Sequence, residues 1–194
     1  MFSKRFNYDI EDNKLSSLLK KKKSEGNIVL DLTESNPTSA DFIYDETYIL
    51  KSISQPDSLK YIPNPKGIQT AREAISHYYK EKNINVNTDN IFLTSSTSEA
   101  YSFIFKLLTD PYDEILIPRP GYPLFSFIAE MESANIQYYN LQYSKEGFWG
   151  IDFESLKTGI TKKTKAIVCV NPNNPTGNFI KESEIKNLIN ICKD

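Results

Sequence analysis

From about residue 88 the chain alternates short apolar runs with amphipathic segments. No other feature constrains the fold as strongly. Strands are predicted at Asn90–Leu93, Glu114–Ile117, Asn135–Leu141 and Lys165–Val170. Helices are predicted between and after them, at Tyr101–Leu108, Leu124–Met131, Asp152–Leu156 and Glu182–Cys192. Parallel neighbours need a crossover, and a helix supplies it. The pattern therefore predicts an α/β fold, three-layer α-β-α, with a mainly parallel sheet covered on both faces.

The residues before this region read less regularly. A short helix is expected over Asn13–Lys23, ending in the run Lys20–Lys23, which suits the negative end of the helix dipole. Ile28–Leu32 reads as a strand running into turn chemistry at Thr33–Pro37. Tyr44–Ser54 is a candidate helix, and Tyr61–Gly67, with two prolines and a glycine, is a loop. Ile68–Glu81 is a helix with Ile68, Ala71, Ile75, Tyr78 and Tyr79 near one face. His77, the only histidine, sits on it without a second His or a Cys nearby and is taken as structural.

Several function classes are disfavoured. The charge is nearly balanced, 23 Lys+Arg against 25 Asp+Glu, so neither a nucleic-acid groove nor a polybasic membrane patch is expected. No apolar run approaches the roughly 20 residues of a membrane span. The basic start at Met1–Phe6 lacks an apolar stretch after it, so it does not read as a signal peptide. Two cysteines, Cys169 and Cys192, cannot staple a domain of 194 residues, which points to a reducing, cytoplasmic setting. By length alone the chain is one domain, with room for an appendage. It has 7 glycines and neither common Gly-rich nucleotide fingerprint.

In such sheets ligands sit beyond the carboxyl ends of the strands. Three loops lie there. Thr94–Glu99 carries the S-x-x-E pattern of a helix cap in Ser96 and Glu99. It equally suits an anion cup, in which backbone N–H groups and the hydroxyls of Thr97 and Ser98 hold a phosphate. Pro118–Pro123 is stiffened by three prolines and presents Tyr122, either as a packed rim residue or as a plate for a flat ligand. Asn171–Gly177 is a turn in which Asn174 either faces solvent or aims its amide at a ligand oxygen.

These loops, with Leu32–Thr38, Tyr61–Gly67 and Asp110–Pro123, occur in family order, and the chain resembles the pyridoxal-phosphate-dependent aminotransferases of fold type I, class I/II. The resemblance runs from about residue 28 to the end and covers the first half of a family member. It implies that Ser96, Thr97 and Ser98 bind the cofactor phosphate, with Ser96 replacing a frequent glycine. It implies that Tyr122 stacks on the pyridine ring and that Asn174 hydrogen-bonds the phenolic oxygen. Tyr61 matches a tyrosine reaching the phosphate of the neighbouring subunit, which implies a homodimer. It implies that Ser35, again at a usual glycine position, and Asn36 lie on a loop that approaches the substrate carboxylate. The bonds before Pro120 and Pro175 are expected to be cis.

The resemblance divides the chain into residues 1–60, an N-terminal arm with part of the small domain, and residues 61–194, the first part of the cofactor domain. The Schiff-base lysine, the acidic partner of the pyridine nitrogen and the main substrate arginine are expected beyond Asp194. Lys181, Lys186 and Lys193 lack the expected context, so no catalytic residue is assigned. The segment ending at Asp194 carries no helix-stop signal, as though the helix continued. The implied activity is transfer of an amino group between an amino acid and a 2-oxo acid, with the 194 residues inactive alone. A lyase or synthase of the same fold, or a non-catalytic binding protein, would keep the same loops.

Overall fold

The computed structural model describes residues 3, 5, 12–33 and 35–193. The basic start and the final residue, Asp194, therefore lie largely outside the described residues, as does Glu34. The chain divides into two compact units, Tyr8–Leu93 and Thr94–Asp194 together with Met1–Asn7.

The second unit carries the sheet. In chain order it contains α4 (Thr97–Leu108), β1 (Glu114–Arg119), α5 (Leu124–Met131), β2 (Asn135–Tyr143), β3 (Trp149–Ile151), α6 (Phe153–Gly159), β4 (Thr164–Ile167) and α7 (Glu182–Ile191). The strand order is β3-β2-β1-β4. β1 runs parallel to both β2 and β4, and β2 pairs antiparallel with β3. The sheet is thus mainly parallel, as the alternation predicts.

Side chains alternate across β1, and each face meets its own pair of helices. Ile115 and Ile117 pack with Phe105 of α4 and with Phe125, Ile128 and Ala129 of α5. Leu116 packs on the opposite face with Tyr139 and with Leu156 of α6, bordered by Leu188 and Ile191 of α7. This gives the expected three layers. β1 is the central element, and Ile115 and Leu116 are fully buried. Tyr139 lies in the second cluster with its hydroxyl donating to Val168 O at 2.9 Å. Burial, more than the neighbouring Cys169 thiol, pushes the Tyr139 phenol above its ordinary range. Glu184 of α7, also buried, accepts from the backbone N–H of Ile151 (2.7 Å) and of Lys181 (2.8 Å), which fixes β3 to the start of that helix.

The first unit contains α1 (Lys14–Ser24), α2 (Glu46–Ile53) and α3 (Gln69–Glu81), joined by short 3-10 turns. Asn13 and Asp45 cap α1 and α2 by accepting from Ser16 N and Tyr48 N. Among its described residues only Ile91 joins the buried apolar set, so the core implied by chain length is concentrated in the sheet unit. On α3 the buried residue is Arg72; Ile68, Tyr78 and Tyr79 of the expected apolar face are exposed. The Arg72 guanidinium donates to Gly67 O (3.3 Å) and Thr88 O (2.8 Å), tying the loop before α3 to the turn after it.

Two strand assignments are corrected. Ile28–Leu32 forms no strand, and Ile28 is 92% and Leu32 95% exposed. Asn90–Leu93 holds the end of a 3-10 turn and then extended chain, with Leu93 N bonded to Lys66 O. A strand exists only through its ladder partners, and among the described residues neither segment has a neighbouring strand. Conversely β3 was not expected: three residues are too few to show a period. The strand at Lys165–Val170 is shorter, Thr164–Ile167, and the helix expected at Tyr101 begins four residues earlier, at Thr97.

Candidate functional site

β1 is where the sheet changes direction. The chain leaves β1 through α5 to β2 on one side, and later returns through α6 to β4 on the other. In an open α/β sheet the crevice at the carboxyl ends of two such strands is where ligands bind, because the two following loops diverge to opposite faces. The loop after β1 carries Tyr122, and the loop after β4 carries Asn174.

The third segment is the start of α4. Ser96 is the cap residue, and its side-chain oxygen accepts from Glu99 N at 3.2 Å. The Glu99 carboxylate turns back one residue further than a standard capping box, to Ser95 N (2.7 Å) and Ser95 Oγ (2.9 Å). Those bonds, the backbone one foremost, hold the Glu99 carboxyl below its usual range. The backbone N–H groups of Thr97 and Ser98 have no partner among the described residues, nor have their hydroxyls. Two free N–H groups at a helix start, with two hydroxyls beside them, form a donor set that suits a phosphate. The cap and the anion cup therefore coexist, since the cap consumes only the third N–H.

The loop after β1 depends on Gly121. A Cβ there would lie 2.3 Å from Pro118 O, so the chain can double back only without a side chain. Tyr122 is half-buried and meets Phe125 edge-on, with ring centroids 5.4 Å apart. Phe125 meets Tyr101 of α4 in the same way at 4.8 Å. One buried ring thus joins the Tyr122 loop to the helix whose first turn carries Thr97 and Ser98. Arg119 stacks its guanidinium on Tyr138, 3.9 Å from the ring centroid.

In the loop after β4 Asn174 is exposed, whereas Asn173 before it is 5% exposed. The Asn173 amide nitrogen donates to Pro120 O (3.3 Å) and to Thr176 Oγ1 (2.7 Å). The peptide bonds before Pro120 and Pro175 are cis as expected, and the bond before Pro172 is a third. The sequence reading missed Asn173. It looked like one more polar turn residue in an Asn-Pro segment, and nothing local separates a buried amide from a solvated one.

The remaining predicted positions are elsewhere. Tyr61 is 90% exposed in the Tyr8–Leu93 unit. Ser35 and Asn36 are exposed in that unit too, and Asn36 Oδ1 accepts from Thr38 N at 3.0 Å. None of the three lysines weighed as a base stands at the three loops. Lys181 lies over the Phe148 ring at 5.5 Å, Lys186 pairs with Glu182 at 2.7 Å, and Lys193 is exposed. His77 is exposed beside Glu81 at 3.4 Å, and the described residues hold no cluster able to bind a metal. Both cysteines are free, and no helix among the described residues is long and apolar enough to cross a membrane.

The chain is similar to known aminotransferases. The glutamate-pyruvate aminotransferase AlaA of Escherichia coli is 28% identical over 187 residues, 96% of this chain and 45% of that protein. A probable aspartate aminotransferase of Methanocaldococcus jannaschii is 39% identical over 135 residues, 69% of this chain and 35% of that protein. The alanine aminotransferase structure from Pyrococcus furiosus superposes with a TM-score of 0.83 at 27% identity, covering all of this chain and 49% of its own. The chain therefore spans less than half the length of these relatives. Residues 27–194 match the family described as aminotransferase class I and II, and the chain belongs to that family.

Proposed function

We propose that this chain supplies the cofactor-holding loops of a pyridoxal-phosphate-dependent aminotransferase that moves an amino group between an amino acid and a 2-oxo acid. The observation that carries the reading is the placement of complementary groups on neighbouring loops. A pair of helix-start N–H groups without a partner among the described residues, an aromatic ring and an exposed amide belong to one knitted unit. A flat ring bearing a phosphate and a phenolic oxygen needs one of each.

In this reading the N–H groups and hydroxyls of Thr97 and Ser98, with the Ser96 hydroxyl, hold the phosphate, where the positive end of α4 favours an anion. Tyr122 stacks on the ring, and Asn174 donates its amide to the phenolic oxygen. When bound, the cofactor supplies an electron sink for bond breaking at the amino acid's α-carbon. The chain's own residues orient it and set its charge distribution. Ser35 and Asn36 face the substrate carboxylate, and Tyr61 reaches the phosphate of a second subunit in a cytoplasmic homodimer. Residues 1–60 and 61–194 divide between small domain and cofactor domain. The lysine that joins the cofactor covalently lies beyond Asp194.

Two measurements test this. The 194-residue chain mixed with pyridoxal phosphate and borohydride should give no adduct at a single lysine. A stoichiometric adduct mapped by mass spectrometry to Lys181, Lys186 or Lys193 would overturn the assignment of the lysine. In the full-length protein Tyr122→Ala should weaken cofactor affinity by about 1 kcal/mol or more, the scale of an aromatic stacking contact. Unchanged affinity by fluorescence titration would leave Tyr122 a packed rim residue.

A further inference from the structure

We infer that Asn173 is a positioning residue that couples the Tyr122 loop to the Asn174 loop, so that stacking plate and amide are held as one preformed surface. The inference rests on the cofactor reading above for its consequence, though not for its geometry.

The geometry starts from an accounting of the amide. Asn173 is almost completely buried, and a buried primary amide must place two N–H donors. One goes to Pro120 O at 3.3 Å, the other to Thr176 Oγ1 at 2.7 Å. Pro120 O can only accept, so the amide nitrogen and not its oxygen must face it, and the orientation of the group is determined. The Thr176 hydroxyl accepts from Asn173 and donates its O–H to Asn178 Oδ1, which fixes the hydroxyl as well.

The backbone of Asn173 closes the turn. Its N–H donates to Asn178 O at 2.9 Å, and its carbonyl accepts from Gly177 N at 2.7 Å. The turn from 173 to 178 is therefore a closed ring of hydrogen bonds, with Asn174 on its exposed side. Pro120 stands two residues before Tyr122. A single buried side chain thus bonds the loop after β1 and the loop after β4 across the point where the sheet changes direction. Neither loop has the rigidity of a strand, and Asn173 supplies the bond between them that the ladder no longer does. Holding both groups before the ligand arrives lowers the ordering cost of binding.

Asn173→Asp is the sharpest substitution, because it keeps the shape and replaces both donors by acceptors facing Pro120 O. Thr176→Val keeps the turn side chain's shape and removes only the hydroxyl, a milder variant should the first fail to fold. In the full-length apoprotein, hydrogen exchange at Gly177, whose amide bonds Asn173 O, and at Phe125, whose amide bonds Tyr122 O, should accelerate in Asn173→Asp, while the amides of β1 and β2 keep their protection. Exchange at Gly177 should accelerate in Thr176→Val. Pyridoxal phosphate affinity should fall about tenfold in Asn173→Asp, the loss of two hydrogen bonds. In a Tyr122→Ala, Asn174→Ala background the same substitution should have little further effect, because the residues it positions are gone.

A uniform rise in exchange across the sheet, or an affinity loss of equal size in both backgrounds, would overturn the inference and make Asn173 a general stabiliser. Unchanged exchange at Phe125, the amide bonded to the Tyr122 carbonyl, would overturn it too. A wild-type protein that does not bind pyridoxal phosphate would sink the cofactor reading alone, since the exchange measurement on the apoprotein still decides whether Asn173 couples the loops.

Discussion

Phe125→Ala should cost about 3–5 kcal/mol of folding stability, the range for deleting a fully buried phenyl ring. Phe125 is 0% exposed. Its ring lies between Tyr101 of α4 and Tyr122, edge-on to both. Truncation opens a cavity bordered by Ile115, Ile117 and Phe105 in the same cluster, and the helices can close it only by shifting on β1. A native domain has only about 5–15 kcal/mol to lose. The midpoint of thermal unfolding, followed by far-UV circular dichroism, should fall by about 10 °C or more. Leu124→Ala, one position away and 42% exposed, should stay within about 1 kcal/mol of wild type. Equal losses in the two variants would mean that the α4–α5 layer does not depend on the central ring. The substitution also removes what Tyr122 and Tyr101 share, so loop and helix start should loosen together.

Much of this layer was legible in the sequence because its elements satisfy themselves locally. The helix Leu124–Met131 coincides with α5, and the strand at Glu114 with the start of β1. Ser96 and Glu99 announced the helix at Thr97, yet the apolar period alone placed its start at Tyr101, since the first turn is polar. Where partners lie far along the chain, local pattern fails. Ile28–Leu32 has the composition of a strand and, among the described residues, no neighbouring strand to make it one. The site shows the same split. Thr97 and Ser98 at the start of α4, and Tyr122 and Asn174 on loops, stand at exposed or half-buried positions, where residue type alone suggests the proposed chemistry. Asn173 and Arg72 do their work through burial, which depends on what packs against them from distant segments. A guanidinium on a helix predicted to bury tyrosines and isoleucines could not be recognised as the buried member from periodicity.

Gly121→Ala tests whether the loop after β1 must double back as tightly as it does. The added methyl would sit 2.3 Å from Pro118 O, a backbone atom that cannot rotate away. Pro118 is paired in register with Tyr139 and belongs to a strand held on both sides, so β1 has little freedom to yield. The prolines at 118, 120 and 123 fix their own φ angles. The displacement must then be taken up at Arg119, Gly121 and Tyr122, and Tyr122 moves with it. The fold should persist with a loss of about 1–3 kcal/mol, the usual cost of an overpacked position. On the proposed reading, cofactor affinity in the full-length protein should fall by at least about tenfold, or 1.4 kcal/mol, because Tyr122, the proposed stacking ring, leaves its place beside Phe125. Fluorescence titration with pyridoxal phosphate reads the affinity, and circular dichroism reads the fold. Wild-type affinity in Gly121→Ala would show that the ring does not need the position this turn gives it. Loss of affinity with a native spectrum would tie ligand binding to the path of the backbone between Pro118 and Tyr122, where the side chain that matters most is the one glycine lacks.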